Sequence, residues 1–364
     1  MNKTTAVLTI FLLVNLSTTI VNADKCLINI PISKEKNNIN SLFQQHLQRV
    51  NNFVFSPEDL ELIDDAFHGS SKFGFVEWWY FDAMLNKGYS IEVNIHFISL
   101  AYQVFIAVAK INIYKDGILQ LCEKKYYPPA DFYVSKDTPL IELDGKQVMK
   151  GYIDNSGNLV YNLFLSINEV SVDLKFVGNT KGWKGVTPLS GWGVFLPSSK
   201  VTGNINLDGE NISVNGNGYH DHNWNFGLKA GINFGWYWGK VNTNNYSITW
   251  SQILKTRFQN QPLLVINEKD GSYLNILPKD IRITVGDIHF KNGLLIPMSF
   301  NLEVQSEQCS IKLKIVSLKA NHVRLLGLIN YWKYHVKCSG SLNIGSEIEI
   351  IDDLNMVEFM RVRR

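Results

Sequence analysis

Apolar residues recur at every second position through most of this chain, and that alternation constrains its fold more than any other feature. Ile91, Val93, Ile95 and Phe97 share one face of a run whose other face carries Glu92, Asn94 and His96. Leu159, Tyr161, Leu163 and Leu165 repeat the pattern, as do Val170, Val172, Leu174 and Phe176 against Ser171, Asp173 and Lys175. Side chains alternate across a strand, so each run predicts a short half-buried β-strand. Roughly sixteen to twenty strands are expected. Asp116-Gly117, Asp208-Gly209, Asp270-Gly271 and Asn155-Ser156-Gly157 supply the turns between them. A parallel sheet would need helices between its strands, and no long helical period is present. The chain is therefore expected to be all-β and antiparallel, as closed barrels or large sandwiches; closure also removes edge strands. One short helix is expected from Ser56-Pro57-Glu58-Asp59 to near His68-Gly69, because serine caps, proline fits the first turn and the acids face its positive end.

Composition narrows the partners. Of 364 residues, 45% are apolar and 19% charged, which permits large cores and excludes wholesale disorder. Thirty-five basic side chains stand against 33 acidic ones, a net charge of +2 that would not gather a phosphate backbone. No nucleic-acid partner is expected. Residues 1–23 read as a signal peptide: Lys3, an apolar run from Ala6 to Val21, and a cleavage pattern at Val21-Asn22-Ala23. The run is short for an uncleaved anchor, so no stable membrane insertion is expected after cleavage. The protein is then exported, to a periplasm or fully outside the cell. Export makes disulfides possible among Cys26, Cys122, Cys309 and Cys338, and Cys309 with Cys338 is the first expected pair. No C-x-x-C spacing suggests a redox dithiol or a structural zinc site.

Residues 24–60 form a lead-in. Alternation breaks near Gly216–Gly227, which gives an expected first domain over 61–222 and a second over 223–364. The break is also the chain's densest polar-aromatic segment, Gly218-Tyr219-His220-Asp221-His222-Asn223-Trp224. In extended backbone His220 and His222 point one way, and Tyr219, Asp221 and Asn223 the other. An acid among aromatics in a dry pocket has a raised pKa and can act as a general acid near neutral pH; the plain alternative is that Asp221 caps a turn. In Glu77-Trp78-Trp79-Tyr80-Phe81, Trp78 and Tyr80 face one side, and Glu77, Trp79 and Phe81 the other. A buried Glu77 needs a partner, which Lys, Arg or the histidine pair could supply. Trp192 sits in the glycine-rich bend Gly191-Trp192-Gly193, where plain packing is the simplest reading; the aromatics of Phe234-Gly235-Trp236-Tyr237-Trp238-Gly239 are expected first to pack a core, and could instead line a second barrel or join the two halves. His220 and His222 could chelate an ion only with a third ligand such as Glu77, His96 or Asp221, so no metal and no cofactor are expected. Neither a Gly-x-Ser-x-Gly elbow nor a nucleotide-binding glycine fingerprint is present.

Glu77-Trp78-Trp79-Tyr80, followed by Gly218-Tyr219-His220-Asp221-His222-Asn223-Trp224, resembles the carotenoid 1,2-hydratase (hydroxyneurosporene synthase) family and its AttH-like relatives. The resemblance spans about residues 70–364. It implies two consecutive lipocalin-like (calycin) antiparallel β-barrels, with a pocket in or beside the first. It implies Asp221 as the acid that protonates an alkene, Tyr219 beside it, and Trp192 as the active-site tryptophan. Where the hydratases carry histidine two positions before that tryptophan, this chain has Ser190. Trp78 and Trp224 would be pocket walls, with Trp79, Tyr80, Glu77, His220 and His222 lining or supporting the site. The expected function is to bind or act on an apolar isoprenoid-like small molecule, by acid-catalysed hydration or cyclisation. The alternatives are a non-catalytic lipid or terpenoid carrier, or an interaction module with filled barrels.

Overall fold

The computed structural model describes residues 55–70, 72–101, 104–227, 235–255, 260–325 and 329–361. The expected signal peptide, nearly all of the lead-in and Cys26 lie outside them. The described chain is all-β, with 21 strands and only short 3-10 turns as helix.

Twelve strands make the first sheet: β1 (Phe75–Leu85), β2 (Tyr89–Ala101), β3 (Val104–Lys115), β4 (Ile118–Tyr127), β5 (Phe132–Val134), β6 (Leu140–Leu143), β7 (Lys146–Ile153), β8 (Leu159–Ile167), β9 (Val170–Gly178), β10 (Trp183–Val186), β11 (Gly191–Leu207) and β12 (Glu210–Gly227). Nine make the second: β13 (Gly235–Asn242), β14 (Tyr246–Leu254), β15 (Asn260–Glu268), β16 (Tyr273–Ile276), β17 (Ile281–Lys291), β18 (Leu294–Gln305), β19 (Cys309–Leu325), β20 (Ile329–Ile344) and β21 (Glu347–Arg361). Every pairing is antiparallel. The first sheet curls into a near-barrel and the second into a half-barrel, one after the other along the chain.

The two sheets share a plan. The first runs β4-β3-β2-β1-β12-β11-β9-β8-β7-β6-β5, and the second β16-β15-β14-β13-β21-β20-β19-β18-β17. In each, the first strand pairs with the last, so the chain returns to where it began. This brings Tyr80 of β1 opposite Asp221 of β12, and Trp238 of β13 opposite Glu358 of β21. The expected turns form: Asp116-Gly117 and Asp208-Gly209 have both residues at positive φ, as a two-residue hairpin turn requires. The inner face of each sheet is packed with its own side chains. Phe81, Ile95, Tyr161 and Phe176 fill the first, and Trp250, Phe300, Tyr334 and Val357 the second.

Two expectations are corrected. The segment from Ser56 is not helical: Glu58 pairs backbone-to-backbone with Lys184, which holds it extended, and a 3-10 turn forms later, at Leu62–Asp65. Cys309 and Cys338 form no disulfide. They lie on paired strands, but Cys309 faces Ile344 and Cys338 faces Ile315. That register separates them by about 20 Å, too far for a bridge.

Candidate functional site

Strand β12 carries two kinds of chemistry on its two faces. Tyr219, Asp221 and Asn223 project toward the second sheet, and His220 and His222 into the first. Alternation alone dictates this division.

On the outward face Asp221 is buried and fully bonded. Its Oδ2 accepts from Tyr219 Oη at 2.8 Å and from Trp192 Nε1 at 3.0 Å, and its Oδ1 accepts from Asn223 Nδ2 at 3.2 Å. Trp192 reaches it because Asn223 is its register partner on β12, one strand over. Ser190, where the hydratases carry histidine, hydrogen-bonds Asn223 at 3.4 Å instead. Burial pushes the Asp221 carboxyl up to about 7; the bonds from Trp192 and Tyr219 oppose that rise, and the nearby charges of Glu358 and Asp82 add to it. Because Oδ2 already accepts two donors, the proton of the acid form belongs on Oδ1.

Asp221 opens onto a cleft between the two sheets. The cleft is small: about 80 Å³ of it is cavity in the ordinary sense, within about 560 Å³ of space between atoms that is partly open solvent. Trp78, Tyr80, Trp192 and Phe226 line it from the first sheet, and Trp236, Trp238 and Glu358 from the second. The Gly235–Gly239 aromatics thus do join the halves, though Tyr237 turns into the second core.

Below Asp221 the sheets meet on buried charges. Lys240 Nζ lies 2.6 and 2.7 Å from the Asp82 carboxylate oxygens. Lys333 pairs with Glu92 at 3.2 Å and with Glu358, and donates to Tyr80 Oη at 2.6 Å, which in turn donates to Asp82 at 2.7 Å. Sequence reasoning did not single out Asp82, Lys240, Lys333 or Glu358. Glu92 and Asn94 lie on the polar face of β2, and that face is buried against the second sheet. Three lysines on aromatic strands, Lys110, Lys240 and Lys333, were the available signal, since lysine is rarely buried unpaired.

The inward face holds a second ionic cluster. His220 Nε2 lies 3.0 Å from Asp65 Oδ2, and its Nδ1 lies 3.0 Å from the Tyr80 carbonyl. His222 Nε2 is 3.0 Å from Glu77 Oε1. Its Nδ1 is 3.2 Å from Asp65 Oδ1, an ion-pair contact poorly aligned for a hydrogen bond. Glu77 also accepts the backbone N–H groups of His68 and Gly69, both at 2.8 Å. Burial disfavours charge on His222, but the bonds and charges of Asp65 and Glu77 outweigh it and hold its pKa up to about 9. His220 stacks on Phe81 at 3.9 Å and His222 on Trp79 at 4.1 Å. His68, Glu77 and His222 bring donor atoms within 4.8 Å of one another, close enough to reach one ion. The same atoms already contact one another, and with the Glu77 bonds to the backbone N–H groups of His68 and Gly69 they fasten the 62–69 segment to β1 and β12. His96 and Asp221 face away from them.

The cleft thus gathers Asp221, Trp192, Trp78 and Tyr80, and Tyr219, itself fully buried, holds Asp221 from within. Glu77, Trp79, His220 and His222 form the support behind the sheet. Trp224, expected as a pocket wall, lies with that support: its register puts it on the His222 face, where it stacks on His68 at 4.3 Å and packs against Gly191. Asp65 and His68, which complete the cluster, come from the segment read as a helix.

No protein-family model and no curated protein matches the chain. Solved structures share its fold. A protein given as an AttH from Nitrosomonas europaea matches with a TM-score of 0.62 at 16% identity, over 84% of this chain and 98% of that one. CghA matches with a TM-score of 0.54 at 12% identity, over 85% and 98%. CghA with Sch210972 matches with a TM-score of 0.52 at 14% identity, over 79% and 89%. At these identities the likeness is one of fold.

Proposed function

We propose that this chain is an exported acid catalyst, acting on an apolar, alkene-bearing small molecule of isoprenoid type whose reacting end enters the cleft between the sheets. One observation carries the reading: a buried carboxyl that holds its proton to about pH 7 opens onto a cleft walled by aromatic rings. Protonating an isolated alkene needs an acid that is still protonated at working pH and a surface that tolerates a cation. Asp221 supplies the first, delivering its proton from Oδ1 while Trp192 and Tyr219 stabilise the charge left on the carboxylate. Trp78, Trp192 and Trp236 supply the second. The cation then collapses by adding water or a neighbouring double bond, which corresponds to hydration or cyclisation. An elongated isoprenoid exceeds this cleft, so only its end would enter. CghA, a neighbour in fold, has a crystal structure with Sch210972, which lends support to a ligand at this architecture.

The carrier alternative has a specific obstacle. Carriage by burial needs an empty apolar lumen; the inner faces of both sheets carry packed apolar cores, and the roomier space of about 380 Å³ beside Leu60 and Phe195 is lined largely by polar groups such as Asp59, Asn158, Lys181 and Asp270. The test is turnover of squalene, lycopene and an apolar extract of the source cells in ¹⁸O-water, followed by mass spectrometry. The wild type is expected to yield a product carrying one labelled oxygen, or a cyclised product of unchanged mass. Asp221→Asn is expected to lower turnover by about 10²-fold or more while binding persists. Equal turnover by the two proteins would remove Asp221 from the mechanism, and a ligand that leaves both unaltered would mark a carrier.

A further inference from the structure

A second carboxylate reaches the cleft, from the wall opposite Asp221. Glu358 lies on β21, directly across from Trp238 of β13 and Lys333 of β20. Its Oε1 accepts from Tyr331 Oη at 2.7 Å and from Lys333 Nζ. Its Oε2 accepts no hydrogen bond among the described residues, and its side chain keeps 11% of its surface exposed. One oxygen of Glu358 is thus anchored and the other is available.

The surrounding charges balance. Asp82, Glu92 and Glu358 stand against Lys110, Lys240 and Lys333. While Asp221 keeps its proton, these groups are neutral as a set. Once it gives the proton up, the walls carry one net negative charge, but Asp221 is held by three donors, so the carboxylate oxygen left open to a cation at either protonation state is Oε2 of Glu358. The rings divide in the same way. Lys240 lies over Trp238 at 5.3 Å and Lys333 over Tyr80 at 4.7 Å, so those faces are taken. Among the described residues no lysine lies over Trp78 or Trp236.

We infer that the cleft is a binding site for a positive charge carried on an apolar molecule, with Glu358 as its counter-charge and Trp78 and Trp236 as its π faces. The inference rests on the acid-catalyst reading, for the charge is the carbocation that proton transfer creates. In that step the alkene π pair forms a C–H bond with the Asp221 proton, the O–H pair stays on the carboxylate, and the second alkene carbon becomes the cation. If water then adds, the new C–O bond uses a water lone pair and leaves an oxonium. Oxonium is far more acidic than a carboxylic acid, so even the anchored Glu358 can take its proton and pass it to solvent.

An ammonium of the same shape mimics this cation without turnover. N,N-dimethyloctylamine and its neutral counterpart 2-methyl-2-decanol are titrated into the protein by calorimetry at about pH 5, two units below the Asp221 value of about 7, so that about 99% of Asp221 is protonated. The wild type is expected to bind the ammonium about tenfold more tightly than the alcohol. Glu358→Gln is expected to abolish that preference, and so is Glu358→Gln combined with Lys333→Met, which keeps the charge set neutral. Equal affinities in the wild type, binding of neither probe, or a preference that survives Glu358→Gln would each overturn the inference. If Glu358→Gln does not fold, the wild-type comparison decides alone. The labelled-water experiment judges Asp221 separately, so loss of turnover in Asp221→Asn with no ammonium preference would retain the acid and discard this site.

Discussion

Asp221 and His222 are neighbours in sequence with opposite problems. Asp221 is buried in the wall of an aromatic cleft with no cation bonded to it, so burial dominates and its neutral form is favoured. His222 faces two carboxylates, so its charged form is favoured. Both shifts lower stability as pH rises. Between the ordinary carboxylate value of 3.8 and about 7, folded Asp221 holds a proton that the unfolded chain has released. Its contribution is therefore full below 3.8 and lost as pH climbs through 7. Asp221→Asn should flatten that part of the curve. The wild type should lose a few kcal/mol, in order of magnitude, between about pH 5 and pH 8 relative to the variant, measured by urea denaturation. Parallel curves for the two proteins would show that Asp221 is ionised throughout.

At the scale of elements, the alternation that makes a strand also assigns its chemistry. In Tyr219-His220-Asp221-His222 it separates the cleft acid from the support cluster, and in Glu77-Trp78-Trp79-Tyr80 it does so again, which made both divisions legible in the sequence. Which partner each face meets was not legible. The Glu92-Asn94-His96 face looks like a surface because sequence alone cannot tell water from a second polar sheet. Trp224 looks like a pocket wall because its neighbours are, yet the period places it behind them. The 62–69 segment was misread for a related reason: good helix-start residues at Ser56–Asp59 are overridden when Glu58 pairs with Lys184. Strand kinks carry a prediction. Gly203 of β11 has φ +151, and an added Cβ would lie 2.0 Å from the Asp173 carbonyl oxygen on β9. Gly340 of β20 has φ +159 and the same 2.0 Å approach, to Lys312 on β19. Gly203→Ala should destabilise by about 1–3 kcal/mol or more in chemical denaturation, and an unchanged midpoint would show that the backbone relaxes freely there.

At the scale of the whole molecule, two sheets of one plan bury their polar faces against each other and leave a cleft at the seam. The repeat is one of strand order, visible as β1 beside β12 and β13 beside β21, with no matching repeat in sequence. Lys240 and Asp82 join the sheets in a buried pair. Removing one partner strands the other, so Lys240→Met should destabilise by about 3–5 kcal/mol, read as a shifted denaturation midpoint. A change under about 1 kcal/mol would mean that water reaches Asp82.

The seam is also what keeps Asp221 dry, and the account stands on that carboxyl being an acid near neutral pH. Infrared difference spectra, wild type minus Asp221→Asn, test this directly across a pH series. The account predicts a protonated-carboxyl C=O band that is present at about pH 5, absent at about pH 9, and half-lost near 7. A carboxylate signal already complete at about pH 5 would contradict it.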